Sequence, residues 1–274
     1  MKPNGLKNKA RENHKIDGLS PDANKLRRHS EIINVETLTK NIDLAWETTR
    51  TPAEFRSKLL VLFRTTLSEG SNFIQDRFLS NNDGAEAVLA QAYLMDSLIK
   101  AALETVDTKL YRAPNPTRGE QLCIIAVGGY GRGELAPFSD IDLLFLLPYK
   151  QTSRVEQVVE TILYLLWDMK LKVGHSTRSI DECMRQAKAD MTVRTAILES
   201  RYICGEISLM EQMIARFRDE IIKGSALEFV EAKLKESDDR HRQLGDSRYV
   251  IEPNIKDGKG GLSDLHKLFW IGKY

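Results

Sequence analysis

Apolar positions along the chain fall into two rhythms. From Thr51 to Tyr111 they recur every three or four residues, the spacing of helices that bury one face. "TPAE" marks a helix start: Thr51 can cap, Pro52 suits the first turn, and Glu54 completes a capping box. The pattern predicts a helix to about Glu69 that stops at Gly70, a short helix over Ser71–Ser80, and a long one in "AEAVLAQAYLMDSLIKAALETVDTKLY". The stretch Arg112 to Glu120, "RAPNPTRGE", has two prolines and a glycine and reads as a junction into a different architecture.

Beyond the junction the rhythm changes. "QLCIIAV" and "DIDLLFLL" are short continuous apolar runs, the mark of strands buried on both faces, and Pro148 ends the second. Ser153 and Glu156 in "SRVE" predict a capped helix to about Met169, whose Trp167 and Met169 read as core. "KVGHSTRS" reads as a third strand, and Ser179 with Glu182 in "SIDE" opens the next helix. From Met191 to about Arg240 the spacing is helical, with breaks near Gly205 and Gly224. The expected class is α+β, a small mixed β-sheet flanked by helical segments before and after. Residues 1–50 are expected as a basic, largely disordered tail, 51–111 as a helical segment, 112–190 as the strand-rich core, and 191–274 as a second helical segment holding the loop "EPNIKDGKGGL".

Composition narrows the function classes. Forty Lys+Arg against thirty-nine Asp+Glu leave a net charge of +1, so no overall field draws the chain to nucleic acid or to a membrane surface, and anion binding must be local. Three scattered cysteines, Cys123, Cys183 and Cys204, form neither a disulfide framework nor a zinc motif, and fit a reducing cytoplasm. No apolar run reaches the roughly 18 residues of a membrane span, and the first thirty residues lack the apolar core of a signal peptide.

The chemistry concentrates in "VGGYGRGELAPFSDIDLLFLL", Val127 to Leu147. Alternation along a strand sends Asp140 and Asp142 to one face and Ile141 and Leu143 to the other. Two carboxylates so placed repel each other unless a cation lies between them, and hard oxygen donors suit Mg²⁺, which fills its other positions with water and phosphate. An exposed strand edge beginning with two aspartates is the plainer reading. The neighbouring "GGYGRGE" weighs against it, because glycines let main-chain N–H groups approach an anion and Arg132 offers a planar fork of donors. Neither a Walker A loop nor a dinucleotide fingerprint is present, which disfavours P-loop hydrolysis and hydride transfer.

A glycine turn, a short spacer and an apolar strand carrying D-x-D resemble the DNA-polymerase-β-like nucleotidyltransferase superfamily. Within it, "VGGYGRGELAPFSDIDLL", "VGHSTRSIDEC" and "IEPNIKDGKGGLSDLHKLFW" are similar to successive blocks of the bacterial PII uridylyltransferase family. The resemblance implies Mg²⁺-dependent transfer of a uridylyl group from UTP to a tyrosine of a PII signal protein, in a core spanning 112–190. It implies Asp140 and Asp142 as catalytic metal ligands for two metal ions, and Gly128, Gly129, Gly131, Arg132 and Ser139 as the nucleotide-binding set. Glu134 belongs to the same block, either orienting the loop or acting chemically. Ser263 stands where the family pattern suggests arginine.

Several assignments stay open at this point. A third carboxylate is usual in the superfamily, and Asp181 is the nearest candidate, though an acid in the first turn of a helix is favoured by the dipole alone. His175 reads as a metal or phosphate contact or as a structural histidine, and Arg178 as a phosphate contact or a surface ion pair. Lys256, Lys259 and Lys267 form a basic patch that faces PII, nucleotide or solvent. Family enzymes continue into an HD-type hydrolase and ACT domains, so the chain is expected to be an N-terminal, truncated piece confined to transfer. Two other functions are open: a catalytically incompetent module that binds nucleotide or PII, and a nucleotidyltransferase with a small-molecule acceptor.

Overall fold

The computed structural model describes residues 29–115, 117–149, 151–244 and 254–274. The order is α1 His29–Ile32, α2 Val35–Thr48, α3 Pro52–Asn81 and α4 Gly84–Thr105, then β1 Cys123–Ala126, the single turn α5 Gly128–Gly131 and β2 Ile141–Leu147. α6 Ser153–Asp168, β3 Val173–Ser179, α7 Ile180–Ala189, α8 Met191–Leu198 and β4 Arg201–Gly205 follow, then α9 Ile207–Phe217, α10 Ala226–Gln243 and α11 Leu262–Lys273. The class is α+β, as expected.

The sheet runs β3-β2-β1-β4, with β1 antiparallel to β2 and β4, and β2 parallel to β3 through the α6 crossover. Its two central strands are buried on both faces, which explains their unbroken apolar runs. Ile124, Ala126, Leu143, Phe145 and Leu147 face α2, α3, α4 and α6, while Cys123, Ile125, Leu144 and Leu146 face α7 to α10. Each such fully buried large side chain contributes about 1.5–3 kcal/mol of transfer free energy.

Four expectations change. The segment 1–50 is not a tail throughout: α2 buries Leu38, Ile42 and Ala45 on one face and is capped by Asn34, whose Oδ1 accepts from Thr37 N at 2.9 Å. Residues 1–28 lie outside the described residues. Gly70 does not stop a helix; α3 passes straight through it because a methyl there would sit 2.7 Å from Leu94 Cδ1 and 2.9 Å from Ile32 O, so glycine permits close helix crossing. The cap of α6 is Thr152, one residue before Ser153. Finally, the sheet does not end at residue 190: β4 lies in the region expected to be all helix, and one apolar cluster extends from Ile32 to Ile203, so Arg112–Glu120 connects two parts of one core.

The cap at Thr51 and the box at Ser179 form as read, with Thr51 Oγ1 accepting from Glu54 N at 3.2 Å and Glu182 Oε2 accepting from Ser179 N at 2.8 Å, but Glu54 does not close a box on Thr51: its Oε2 accepts from Arg50 N at 3.0 Å. Among the described residues no helix is long and apolar enough to cross a membrane.

Candidate active site

Asp142 is the second residue of β2, and the start of that strand is held from both sides. Val127 N donates to Asp142 O at 3.0 Å, and Ile141 N donates to Lys172 O at 2.9 Å. Its carboxylate then lies between two glycines. A methyl on Gly174, its partner in the parallel ladder, would be 2.4 Å from Asp142 Oδ1, and one on Gly128 would be 3.2 Å from Asp142 Oδ2. Gly128 also adopts φ +60°, a conformation other residues rarely hold. The strand, the glycine turn and β3 thus leave both oxygens of one carboxylate uncovered.

Asp140 stands in the exposed loop just before β2, after a turn closed by Ser139 N donating to Ala136 O at 3.1 Å. Phe138 in that turn has φ +65° and is 96% exposed. Burial, and then the negative charge of Asp140, push the Asp142 carboxyl above its ordinary value. The part owed to Asp140 is the repulsion of two acids placed near each other. No group of three or more metal-binding side chains occurs among the described residues. An all-oxygen pair nevertheless fits a hard divalent cation that takes its remaining ligands from water and phosphate.

The glycine turn is anchored twice, by residues that the motif did not announce. Beneath it, Tyr130 is buried and donates its hydroxyl to Asp96 Oδ1 at 2.6 Å; Arg201 grips the same carboxylate at 2.6 and 3.1 Å and also donates to Tyr130 O at 3.1 Å. Beside it, Arg132 donates from Nε to Glu134 at 3.1 Å, from Nη1 to Glu199 Oε1, and from Nη2 to His266 Nε2 at 3.1 Å. A guanidinium only donates, so His266 must accept there as neutral imidazole with its proton on Nδ1. Burial, and next the Arg132 charge, hold the His266 pKa below its usual value. The main chain fits as closely: a methyl on Gly131 would lie 2.3 Å from Glu199 O and 3.0 Å from Ala126 O.

The structure therefore brings together Gly128, Asp140 and Asp142, with Ser139 in the adjoining turn and Gly129 and Gly131 within α5. Arg132 and Glu134 form an ion pair with each other, and Arg132 is committed to protein partners. It does not bring the remaining candidates to this place. His175 pairs in register with Leu143, on the face opposite Asp142, and meets the Trp167 ring at a centroid distance of 5.7 Å. Arg178 is opposite Leu146, four residues further along the ladder, about 13 Å at the rise of a strand. Asp181 lies beyond it at the far end of β3, is 74% exposed and pairs with Arg216 at 2.5 Å. In the C-terminal block, Ser263 Oγ donates to Asp257 Oδ1 at 2.8 Å, and Lys267 bonds Ser237 Oγ at 2.7 Å.

Comparison with known proteins gives the same site a lineage. Residues 117–203 match the nucleotidyltransferase domain, and residues 228–274 match the family described as GlnD PII-uridylyltransferase. The chain is 55% identical over 221 residues to a bifunctional uridylyltransferase/uridylyl-removing enzyme of Azospirillum brasilense, covering 81% of this chain and 24% of the relative. Identically named enzymes of Rhodopseudomonas palustris and Rhodospirillum rubrum are 50% and 49% identical, over 84% and 91% of this chain and 25% and 27% of theirs. Over these stretches the chain is similar to the PII-uridylyltransferase family. It spans about a quarter of the length of these relatives. The nucleotidyltransferase match covers Asp140, Asp142, the glycine turn and Glu199; the uridylyltransferase match covers most of α10 and all of α11, whose His266 and Trp270 bond Arg132 and Glu199.

Proposed function

We propose that the chain catalyses Mg²⁺-dependent transfer of UMP from UTP to a tyrosine hydroxyl of a PII signal protein, releasing diphosphate. The observation that carries this reading is the Asp140–Asp142 pair at the mouth of β2, with the Asp142 oxygens left uncovered by Gly128 and Gly174. The name shared by the relatives supports uridylyl transfer, and the family description supports PII as the acceptor.

In this reading Asp140 and Asp142 hold the cation, and their mutual repulsion is what the cation relieves. The bound metal supplies charge neutralisation for the triphosphate. The Gly128–Gly131 turn, kept rigid by Tyr130 and Gly131, offers main chain without intervening side chains where phosphate oxygens approach. Transfer forms a bond from the tyrosine oxygen to the α-phosphorus and breaks the bond from that phosphorus to the β-phosphate oxygen; the phenolic proton is released. The residues contribute positioning and charge rather than a covalent intermediate. The three free cysteines suit a reducing cytoplasm as the place of action; burial raises the Cys183 and Cys204 thiols to about 12.

Incubation of the purified chain with labelled UTP, Mg²⁺ and PII tests the reading. Covalent label on PII, lost in Asp142→Asn and Asp140→Asn while the variants keep their far-UV spectrum, is the expected result. Label retained in either variant overturns it. Nucleotide binding without label identifies a binding module instead, and label on a small acceptor but not on PII identifies a different acceptor class.

A further inference from the structure

We infer that Glu199 is a positioning residue through which the C-terminal helix α11 sets the Arg132 guanidinium beside the glycine turn. The inference rests on the transferase reading above for its kinetic consequence, but its structural basis is independent of that reading.

Glu199 caps the C-terminal end of α8 just before β4, and its side chain is 4% exposed. One oxygen, Oε1, accepts from two donors on different elements: Arg132 Nη1 at the end of the glycine turn and Trp270 Nε1 of α11 at 2.5 Å. A carboxylate this deeply buried is tolerable only when paired and hydrogen-bonded, so neither donor can leave without exposing the other to an incomplete partner. Arg132 is itself only 12% exposed, and α11 supplies its further contact, His266 Nε2 at 3.1 Å. Two residues of α11, one turn apart on the same side of the helix, therefore close around the Arg132–Glu199 pair.

The other attachments of α11 are mostly polar and run to α10, where Asp264 accepts from Arg240 Nη2 at 2.8 Å and from Ser237 Oγ at 3.1 Å, and Lys267 donates to Ser237 Oγ at 2.7 Å. The helix contains no fully buried residue, and Leu262, Leu265, Leu268 and Phe269 are exposed. Trp270 is steadied on its other side by Lys233 of α10, whose Nζ lies 4.8 Å from a Trp270 ring centroid. Tyr274 stacks on Phe229 at 3.9 Å. Those bonds hold α11 to α10, whereas Trp270–Glu199 and His266–Arg132 join it to the glycine turn, so the placement of Arg132 depends on α11 through Glu199. Because Glu199 O also abuts Gly131, any shift of Glu199 is transmitted to the glycine turn through its main chain as well as through Arg132.

Trp270→Phe removes the indole donor and keeps an aromatic ring. It is expected to lower kcat for nucleotidyl transfer roughly tenfold, with KM for the nucleotide changed less than about twofold, the pattern of a misplaced rather than missing group. Glu199→Gln, an isostere without charge, is expected to cost roughly a hundredfold, and Glu199→Asp less than Glu199→Gln because it keeps the charge. In an Arg132→Lys background the Trp270→Phe loss should disappear, since both changes break one unit. Amide hydrogen exchange gives a reading that needs no activity: Trp270→Phe should speed exchange in 128–134 while α4 and β2 stay protected. Unchanged exchange there, or multiplicative losses in the double variant, overturns the inference. A wild-type chain that transfers nothing, yet shows faster exchange in Trp270→Phe, upholds the inference and refutes only the transferase reading.

Discussion

Asp142 and Gly174 face each other across the parallel β2–β3 ladder, and a single methyl at position 174 would come within 2.4 Å of Asp142 Oδ1. Gly174 lies on an exposed edge strand with no backbone close to that methyl, so Gly174→Ala should displace the carboxylate without disturbing the fold. The expected result is a loss of transfer on the order of a hundredfold with Tm within about 2 °C of wild type. Gly131→Ala is the contrasting case, because its methyl meets main-chain oxygens of Glu199 and Ala126; it should lower Tm markedly. Kinetics and thermal melts on the two variants separate the two kinds of glycine.

Asp142 should trade stability for function. Its proton is held more tightly in the folded chain than in the unfolded one, so the ionised carboxylate opposes folding at neutral pH. That penalty fades as pH falls through the raised value toward the ordinary carboxylate range. Asp142→Asn should raise Tm by about 1–3 °C at pH 7 in chelator, and the gain should vanish near about pH 4. Adding Mg²⁺ should stabilise the wild type and leave the variant unmoved. A variant less stable than wild type in chelator would refute the crowding of the two acids.

The Tyr130–Asp96–Arg201 unit is a buried ion pair with a hydroxyl attached, and removing one member leaves a charge stranded. Arg201 is 7% exposed, so Asp96→Asn should cost about 3–5 kcal/mol and lower Tm by about 10 °C. Replacing both partners by apolar residues, as in Asp96→Leu with Arg201→Met, should recover part of the loss. The glycine turn would still lose its fastening, so activity should not recover with stability.

His266 should make the docking of α11 sensitive to mild acid. Its pKa is depressed in the folded chain, so its contribution is complete above the ordinary value of 6.5 and is lost as pH falls from there through the lowered value. Arg132 and Lys256 press it toward the neutral form, while Glu134 and Glu199 oppose them. In a Trp46→Phe, Trp167→Phe background, Trp270 emission should report the loosening between about pH 6.5 and 5. His266→Gln should flatten that transition, and an unaltered transition would show that another group drives it.

Local signals made part of this site legible. Strands β1 and β2 follow from unbroken apolar runs, and the Asp140–Asp142 pair with its glycine turn is written in one stretch of sequence. β4 was not legible, since "RYICG" is five residues set within helical spacing and takes its identity from pairing with β1. Gly70 misled because a glycine that allows two helices to touch and a glycine that ends a helix look the same in sequence. Asp96, Glu199 and Arg201 carry no local mark, because their partners are brought to them only by the finished sheet. Asp181 was suggested by nearness in sequence to β3, but it belongs to the wrong end of that strand.

The pairing of β4 with β1 also orders events in time. The glycine turn leaves β1 directly, yet both of its fastenings, Glu199 and Arg201, arrive far later in the chain, on either side of Ser200. Contacts between such distant segments form after local helices during folding. A chain emerging from the ribosome will thus expose Asp140 and Asp142 before anything holds the neighbouring turn in shape. Site assembly is consequently a closing step of folding, and agents that trap incompletely paired sheets should capture a species with its helices formed and the Asp140–Asp142 pair still unorganised.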